Sequence, residues 1–87
     1  MNTETTLSRY TVNLTGRNEE PVAYKVGVTT VEPGLKALDL DGRAIAYVTR
    51  AGGGCIRVER TVGDRSTRTL PSVPLALRWA VVGAAAQ

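Results

Sequence analysis

Histidine and phenylalanine are absent from this 87-residue sequence, cysteine occurs once, and the aromatic residues are three tyrosines and one tryptophan. Without histidine, nucleophile–histidine pairs and the usual Cys/His zinc sets cannot form. The single cysteine, Cys55, excludes an internal disulfide; it is either a reactive or dimerising thiol or a half-buried strand residue. We therefore expect a protein that is not an enzyme and that holds no metal and no cofactor.

Long apolar runs are also absent. The longest mostly apolar stretch begins at Trp79 and ends by Ala86, which is too short to cross a bilayer. Residues 1–8 are polar and threonine-rich, so they are predicted to be a flexible N-terminus and not a signal peptide. Residues 9–87 are predicted to form one domain, because so short a chain has little room for a second core. We expect a cytoplasmic protein without membrane contact.

The charges are distributed unevenly along the chain. Residues 1–41 hold four basic and six acidic residues, whereas residues 42–87 hold seven arginines against Glu59 and Asp64. The second half is therefore strongly basic, and all of its cations are arginines, which suit phosphate groups and acidic protein surfaces. An arginine-rich composition also arises without any binding role, so the bias alone does not decide.

Alternating apolar and β-branched residues predict a succession of short strands, at residues 9–15, 22–31, 35–40, 43–50, 55–61 and 66–70. Pro33-Gly34 is typical of a type II turn, and Asp41-Gly42 is typical of a two-residue hairpin turn. Gly52-Gly53-Gly54 is predicted to be a loop and not a phosphate site, because a strand follows it and no Lys-Ser/Thr pair is present.

A helix is predicted to begin at Ser72, which can cap it, with Pro74 in its first turn. Leu75, Trp79, Val82 and Ala86 share one helical face, and we assign that face to the core. The opposite face is also apolar, so the helix requires burial on more than one side. A curled sheet or a second copy could supply the additional cover, and a homodimer through the helix from Leu75 to Ala86 is one prediction.

Together these elements predict an α+β fold: a small antiparallel β-meander of five or six strands with one C-terminal helix packed on one face. The predicted core consists of the inward residues of the strands and one face of the helix. Its members are Tyr10, Val12, Leu14, Val26, Val28, Leu38, Leu40, Ile45, Tyr47, Ile56, Val58, Leu75, Trp79 and Val82.

The candidate functional residues are arginines of the last three strands and their connections. A meander would bring same-face residues of neighbouring strands close together, so a compact guanidinium patch is predicted on the face away from the helix. Arg60 shares the parity of Ile56 and Val58, and it would join the patch only if its strand frays or bulges. The alternative is a merely solvated sheet face. The predicted nucleic-acid-binding residues are Arg50, Arg57, Arg60, Arg65 and Arg68.

Three antiparallel strands followed by a helix, over residues 43–86, resemble the DNA-binding domains of plant ethylene-response factors and the arm-binding domains of phage integrases. Those domains lay a three-stranded sheet in the major groove. The resemblance implies that Arg50, Arg57, Arg60 and Arg68 contact DNA. It rests on element order and arginines, and this chain has Cys55-Ile56 where those families usually carry an aromatic residue.

Two functions fit these observations. One is a non-enzymatic nucleic-acid-binding module that uses the arginine face. The other is a protein–protein interaction module, for example a small phage or mobile-element protein that binds and modulates a host factor. The expected partner is accordingly nucleic acid or an acidic protein surface. A structural subunit of a larger assembly is a third interpretation.

Overall fold

The structure, a computed structural model, describes residues 7–16 and 19–85, and it confirms the predicted α+β architecture. Six antiparallel strands form one sheet in which each strand lies beside its neighbours in sequence. β1 begins at Leu7, and residues 1–6 of the predicted flexible N-terminus lie outside the described residues. The elements are β1 Leu7–Thr15, β2 Pro21–Glu32, β3 Leu35–Leu40, β4 Arg43–Arg50, β5 Ile56–Arg60, β6 Thr67–Leu70 and α1 Val73–Ala85.

The two turns read from the sequence have the expected backbone conformations. Gly34 has a φ of 84°, as the third residue of a type II turn requires. Asp41 and Gly42 have φ values of 56° and 79°, which is the pair of left-handed residues that a type I′ hairpin turn needs. The loop at Gly52–Gly54 is one turn of 3₁₀ helix, and β5 follows it.

The helix covers one face of the sheet, which we call the inner face; the opposite face is the outer face. α1 packs against β5 and also contacts β1, β4 and β6, so the meander curls around it. At its start, the backbone N–H of Leu75 donates to the Oγ of Ser72 at 3.4 Å. The buried apolar core lies between helix and sheet and consists of Val12, Val26, Leu38, Ile45, Ala46, Val58, Val62, Ala76, Leu77, Ala80 and Val81.

A β-bulge in β4 makes one core prediction wrong. Leu38 pairs with Ala46 and Asp39 pairs with Ala44, so Ile45 is an extra residue on β4. Ile45 and Ala46 are consequently both buried, and the alternation changes phase after them. Tyr47 therefore lies on the outer face, 36% exposed, and does not belong to the core.

The helix buries a different face from the one predicted, although Trp79 of the predicted face is partly buried against the core and Ala86 lies outside the described residues. Leu75 and Val82 are 46% and 43% exposed, whereas Ala76, Ala80 and Val81 are buried. The buried face also holds Leu77 and Gly83, so it combines small side chains with one large one. Periodicity could not choose between the two faces, because the helix is apolar on both.

Candidate binding groove and the predicted arginine face

The predicted arginine face is divided between the two sides of the sheet. Arg57 alternates with buried Val58 along β5 and lies on the outer face. Arg50 pairs with Ile56, and Arg68 pairs with Val58, so both of these arginines lie on the inner face. They are exposed because they lie where the helix does not cover the sheet.

Arg65 and the charged residues of the outer face do not form the predicted guanidinium patch with Arg57. Arg65 is exposed in the connection between β5 and β6, with a φ of 54°. Glu59 shares the outer face with Arg57, two residues away on the same strand. The register therefore leaves one of the five arginines on the outer face of the strands, and a role for these arginines in binding stays a prediction.

Arg60 is a buried residue. Its side chain is 8% exposed and lies on the inner face, as the shared parity with Val58 indicated. The strand does not fray outward at this point, because the backbone N–H of Arg60 donates to the carbonyl of Ser66 at 3.0 Å. Arg60 is thus not available to contact a partner.

The guanidinium of Arg60 is held by the polypeptide on three sides. Nη1 donates to both carboxylate oxygens of Asp64, at 3.0 Å and 2.9 Å. Nη2 donates to the backbone carbonyl of Trp79 at 2.7 Å, and Cζ lies 3.7 Å from the centroid of the Trp79 ring. A stacked arginine whose two Nη atoms donate to different segments fastens the β5–β6 connection to the helix.

Two glycines make room for this arrangement. A Cβ at Gly83 would lie 2.7 Å from Cζ and 2.8 Å from Cδ of Arg60. A Cβ at Gly63 would lie 2.8 Å from the carbonyl oxygen of Gly83, and Gly63 also has a φ of 73°. Nε of Arg60 is buried without a hydrogen-bond partner among the described residues, which fits a group pressed against a helix backbone.

Asp64 remains mostly exposed while it pairs with Arg60. Its side chain is 60% exposed. The backbone N–H of Ser66 donates to Oδ1 at 3.1 Å and the Ser66 hydroxyl donates at 2.8 Å. The hydrogen bond from the Ser66 backbone, together with that from Arg60, lowers the pKa of Asp64 to about 2.

A groove of about 490 Å³ lies between the first turns of α1 and one end of the inner face. The helix side is formed by Val73, Ala76 and Leu77. The sheet contributes apolar side chains from five strands, which form the floor: Tyr10, Val28, Leu38, Val48 and Ile56. Tyr10, which we assigned to the core, is 44% exposed because it lies at this open edge.

The charges beside the groove are of one sign. Lys36 and Arg50 line it, and none of the lining residues in the described part of the chain is acidic. Lys36 pairs with Val48, two residues before Arg50 on β4, so the two cations are diagonal neighbours on the inner face. Neither makes an ion pair within residues 7–16 and 19–85.

The same sign prevails over the whole inner face. Every charged residue that the strand register of the described chain places there is basic: Lys36, Arg43, Arg50, Arg60 and Arg68. The acidic residues of the strands, such as Asp39 and Glu59, are on the outer face. The sequence analysis found the excess of arginine and placed Arg57 on the outer face, but it also expected Arg50 and Arg68 there, and it missed Lys36. The alternation of Lys36 with Leu38 on β3 was the available signal.

No protein-family model, curated protein or solved structure matches this chain. The likeness to sheet-plus-helix DNA-binding domains accordingly stays a prediction. Within the described part of the chain, no helix has the length and hydropathy that a membrane crossing requires, and no group of three or more Cys, His, Asp or Glu side chains could hold a metal ion.

Proposed function

We propose that this protein is a non-enzymatic interaction module that binds an acidic, amphipathic peptide segment of a partner protein in the groove. The observation that carries this proposal is the combination of an apolar floor with two cations, Lys36 and Arg50, that make no ion pair among the described residues, and a described lining without an acidic residue. An apolar floor favours aliphatic or aromatic side chains, and Lys36 and Arg50 favour Asp or Glu beside them.

The extent of the apolar surface favours a peptide over a small enclosed ligand. Tyr10 and Val73, at the rim of the groove, are 44% and 47% exposed, so apolar surface continues beyond the concave part. A segment with one or two apolar anchors in the groove would cover this rim with its flanking residues. Anchors of this kind, seated in a pocket and shielded from water by the contacts around them, supply most of the binding energy in protein interfaces.

The apolar floor of the groove favours a peptide over a nucleic acid. The five predicted arginines do not form one patch, because Arg57 faces outward and Arg60 is paired with Asp64. The exposed cations of the inner face suit phosphates as well as carboxylates, so the choice between the two partner classes rests on the apolar floor. An origin in a phage or mobile element and a cytoplasmic location remain predictions from the sequence.

Selection from a library of short random peptides tests the proposal. The enriched peptides should combine large apolar residues with Asp or Glu, and Lys36→Glu/Arg50→Glu should abolish their binding. The matched control is Lys25→Glu/Arg57→Glu, which makes the same charge change on the outer face and should leave binding intact. Equal loss of peptide binding in the two double variants would overturn the assignment of the binding site to the groove.

A mobility-shift titration with random double-stranded DNA and RNA at low and moderate salt distinguishes the other partner class. Under the groove proposal, neither nucleic acid is shifted at moderate salt. A strongly salt-dependent shift that Arg57→Glu/Arg68→Glu removes would instead support nucleic-acid binding and overturn the peptide proposal, because phosphate contacts weaken steeply with ionic strength.

A further inference from the structure

The two edges of the sheet are built differently. β6 is a four-residue edge strand, and Arg68 points inward from it. Short length and an inward charge are common devices that prevent a strand edge from pairing with another chain. β1, at the other edge, has nine residues and contains neither proline nor an inward-pointing charge. Among the described residues, the β6 edge therefore carries features that hinder pairing with another chain, and the β1 edge carries neither of them.

From this asymmetry we propose that β1 pairs antiparallel with β1 of a second copy, to form a continuous sheet of two subunits across a twofold axis. Within the described residues, β2 is the only strand that β1 pairs with. Tyr10, Thr11 and Asn13 are exposed along β1, so the strand is accessible. A second copy satisfies the same free backbone groups on both chains at once, as a twofold interface requires.

The pattern of β1 limits the register to pairs centred on a residue, and the length of the strand then favours one of them. Residues opposite each other in an antiparallel pair point to the same face, so an inner-face residue must meet an inner-face residue of the second copy. Centring the pair on Thr11, the middle residue of Leu7–Thr15, meets this condition and uses the whole strand. Tyr10 then lies opposite the second copy's Val12, which extends the apolar inner face across the axis.

The outer-face pairs in this register are also compatible. Thr11 lies opposite the second copy's Thr11, and Arg9 lies opposite the second copy's Asn13. Threonine pairs are favourable across antiparallel strands, and no two like charges are directly opposed. Because both inner faces are on the same side, the two grooves, each lined by its own Tyr10, would open on one side of the dimer.

Sedimentation of the full chain over a wide concentration range, without any ligand, tests the dimer independently of the groove. We expect a monomer–dimer equilibrium that Thr11→Lys weakens by on the order of tenfold or more, because two lysines would then face each other across the axis. Thr69→Lys is the matched control, since Thr69 is an exposed outer-face threonine on the protected edge; it should leave the equilibrium unchanged.

Cross-linking adds a geometric readout. In a Cys55→Ser background, Thr11→Cys should form a disulfide-linked dimer on mild oxidation, and Thr69→Cys should not. Thermal unfolding at low concentration should show that Thr11→Lys folds as the wild type does. A protein that is monomeric at every concentration would overturn the proposal. So would a dimer that Thr69→Lys weakens equally, or one that Val82→Lys on the exposed helix face dissociates while Thr11→Lys does not.

Discussion

Gly83 of the helix lies directly against the guanidinium of Arg60, and a Cβ at position 83 would come within 2.7 Å of its Cζ. Arg60 cannot move aside, because its Nη atoms donate to Asp64 and to the carbonyl of Trp79. The helix therefore needs glycine at a position where its own propensity would favour alanine. This contact joins the end of β5 to the second half of α1.

Gly83→Ala should destabilise the protein. Alanine is the better helix former by about 1 kcal/mol, but the overpacking against Arg60 should outweigh this and reduce the free energy of unfolding by about 1–3 kcal/mol. Urea unfolding measures the change. Gly52→Ala is the control, because nothing lies within 4 Å of a Cβ at that exposed position. If Gly83→Ala were more stable than the wild type, position 83 would not lie as close to Arg60 as described.

Arg60→Lys should also lower the free energy of unfolding, by about 2 kcal/mol, although it keeps the charge. Lysine has one ammonium group, so it cannot bond to Asp64 and the Trp79 carbonyl as a planar fork while stacking on the ring. Arg57→Lys, on the exposed outer face of the same strand, should change stability by less than about 0.5 kcal/mol. Equal effects of the two substitutions would contradict the buried role of Arg60.

A comparison of two glycines separates backbone strain from steric contact. Gly42 and Gly63 have similar φ values, 79° and 73°, but only Gly63 faces a close atom, the carbonyl oxygen of Gly83. Gly42→Ala should cost about 1 kcal/mol for the left-handed conformation alone. Gly63→Ala should cost measurably more in the same chemical denaturation experiment. If the two losses were the same, the approach of the β5–β6 connection to the helix would be looser than described.

Acid should remove the contribution of Asp64 to stability. The unfolded chain takes up the Asp64 proton near the ordinary pKa of 3.8, whereas the folded protein holds this carboxylate ionised to about pH 2. Between these values the unfolded state binds more protons, so stability falls as the pH falls. The stability difference between wild type and Asp64→Asn should therefore be full above about pH 4 and shrink toward pH 2.

Fluorescence of Trp79, the only tryptophan, reports this unfolding because the ring stacks on Arg60. Glu59→Gln is the control for removing an acid from the same region, since Glu59 forms no ion pair in the described part of the chain. The difference in stability between Glu59→Gln and the wild type should not change with pH in the way expected for Asp64→Asn. A stability gap for Asp64→Asn that stays constant from neutral pH to pH 2 would show that the carboxylate is not held as described.

Local sequence signals were sufficient where a short segment decides its own conformation. Asp41-Gly42 and Pro33-Gly34 determine their turns through the φ values they tolerate, and the alternation in β5 correctly placed Val58 and Arg60 on one face. The groove could not be predicted in this way. It depends on where α1 crosses the sheet, and no pattern within the helix specifies that crossing.

The sequence by itself determined the elements of this protein, their order and their antiparallel connection, because turn chemistry and alternation act over a few residues. The tertiary structure alone decided which face of an evenly apolar helix is buried, since that depends on how the helix packs across the sheet. It also decided where the arginines lie. The bulge of β4 against β3 places Arg50 beside an apolar groove, and the helix crossing brings Trp79 onto Arg60, and both are relationships between residues far apart in the chain.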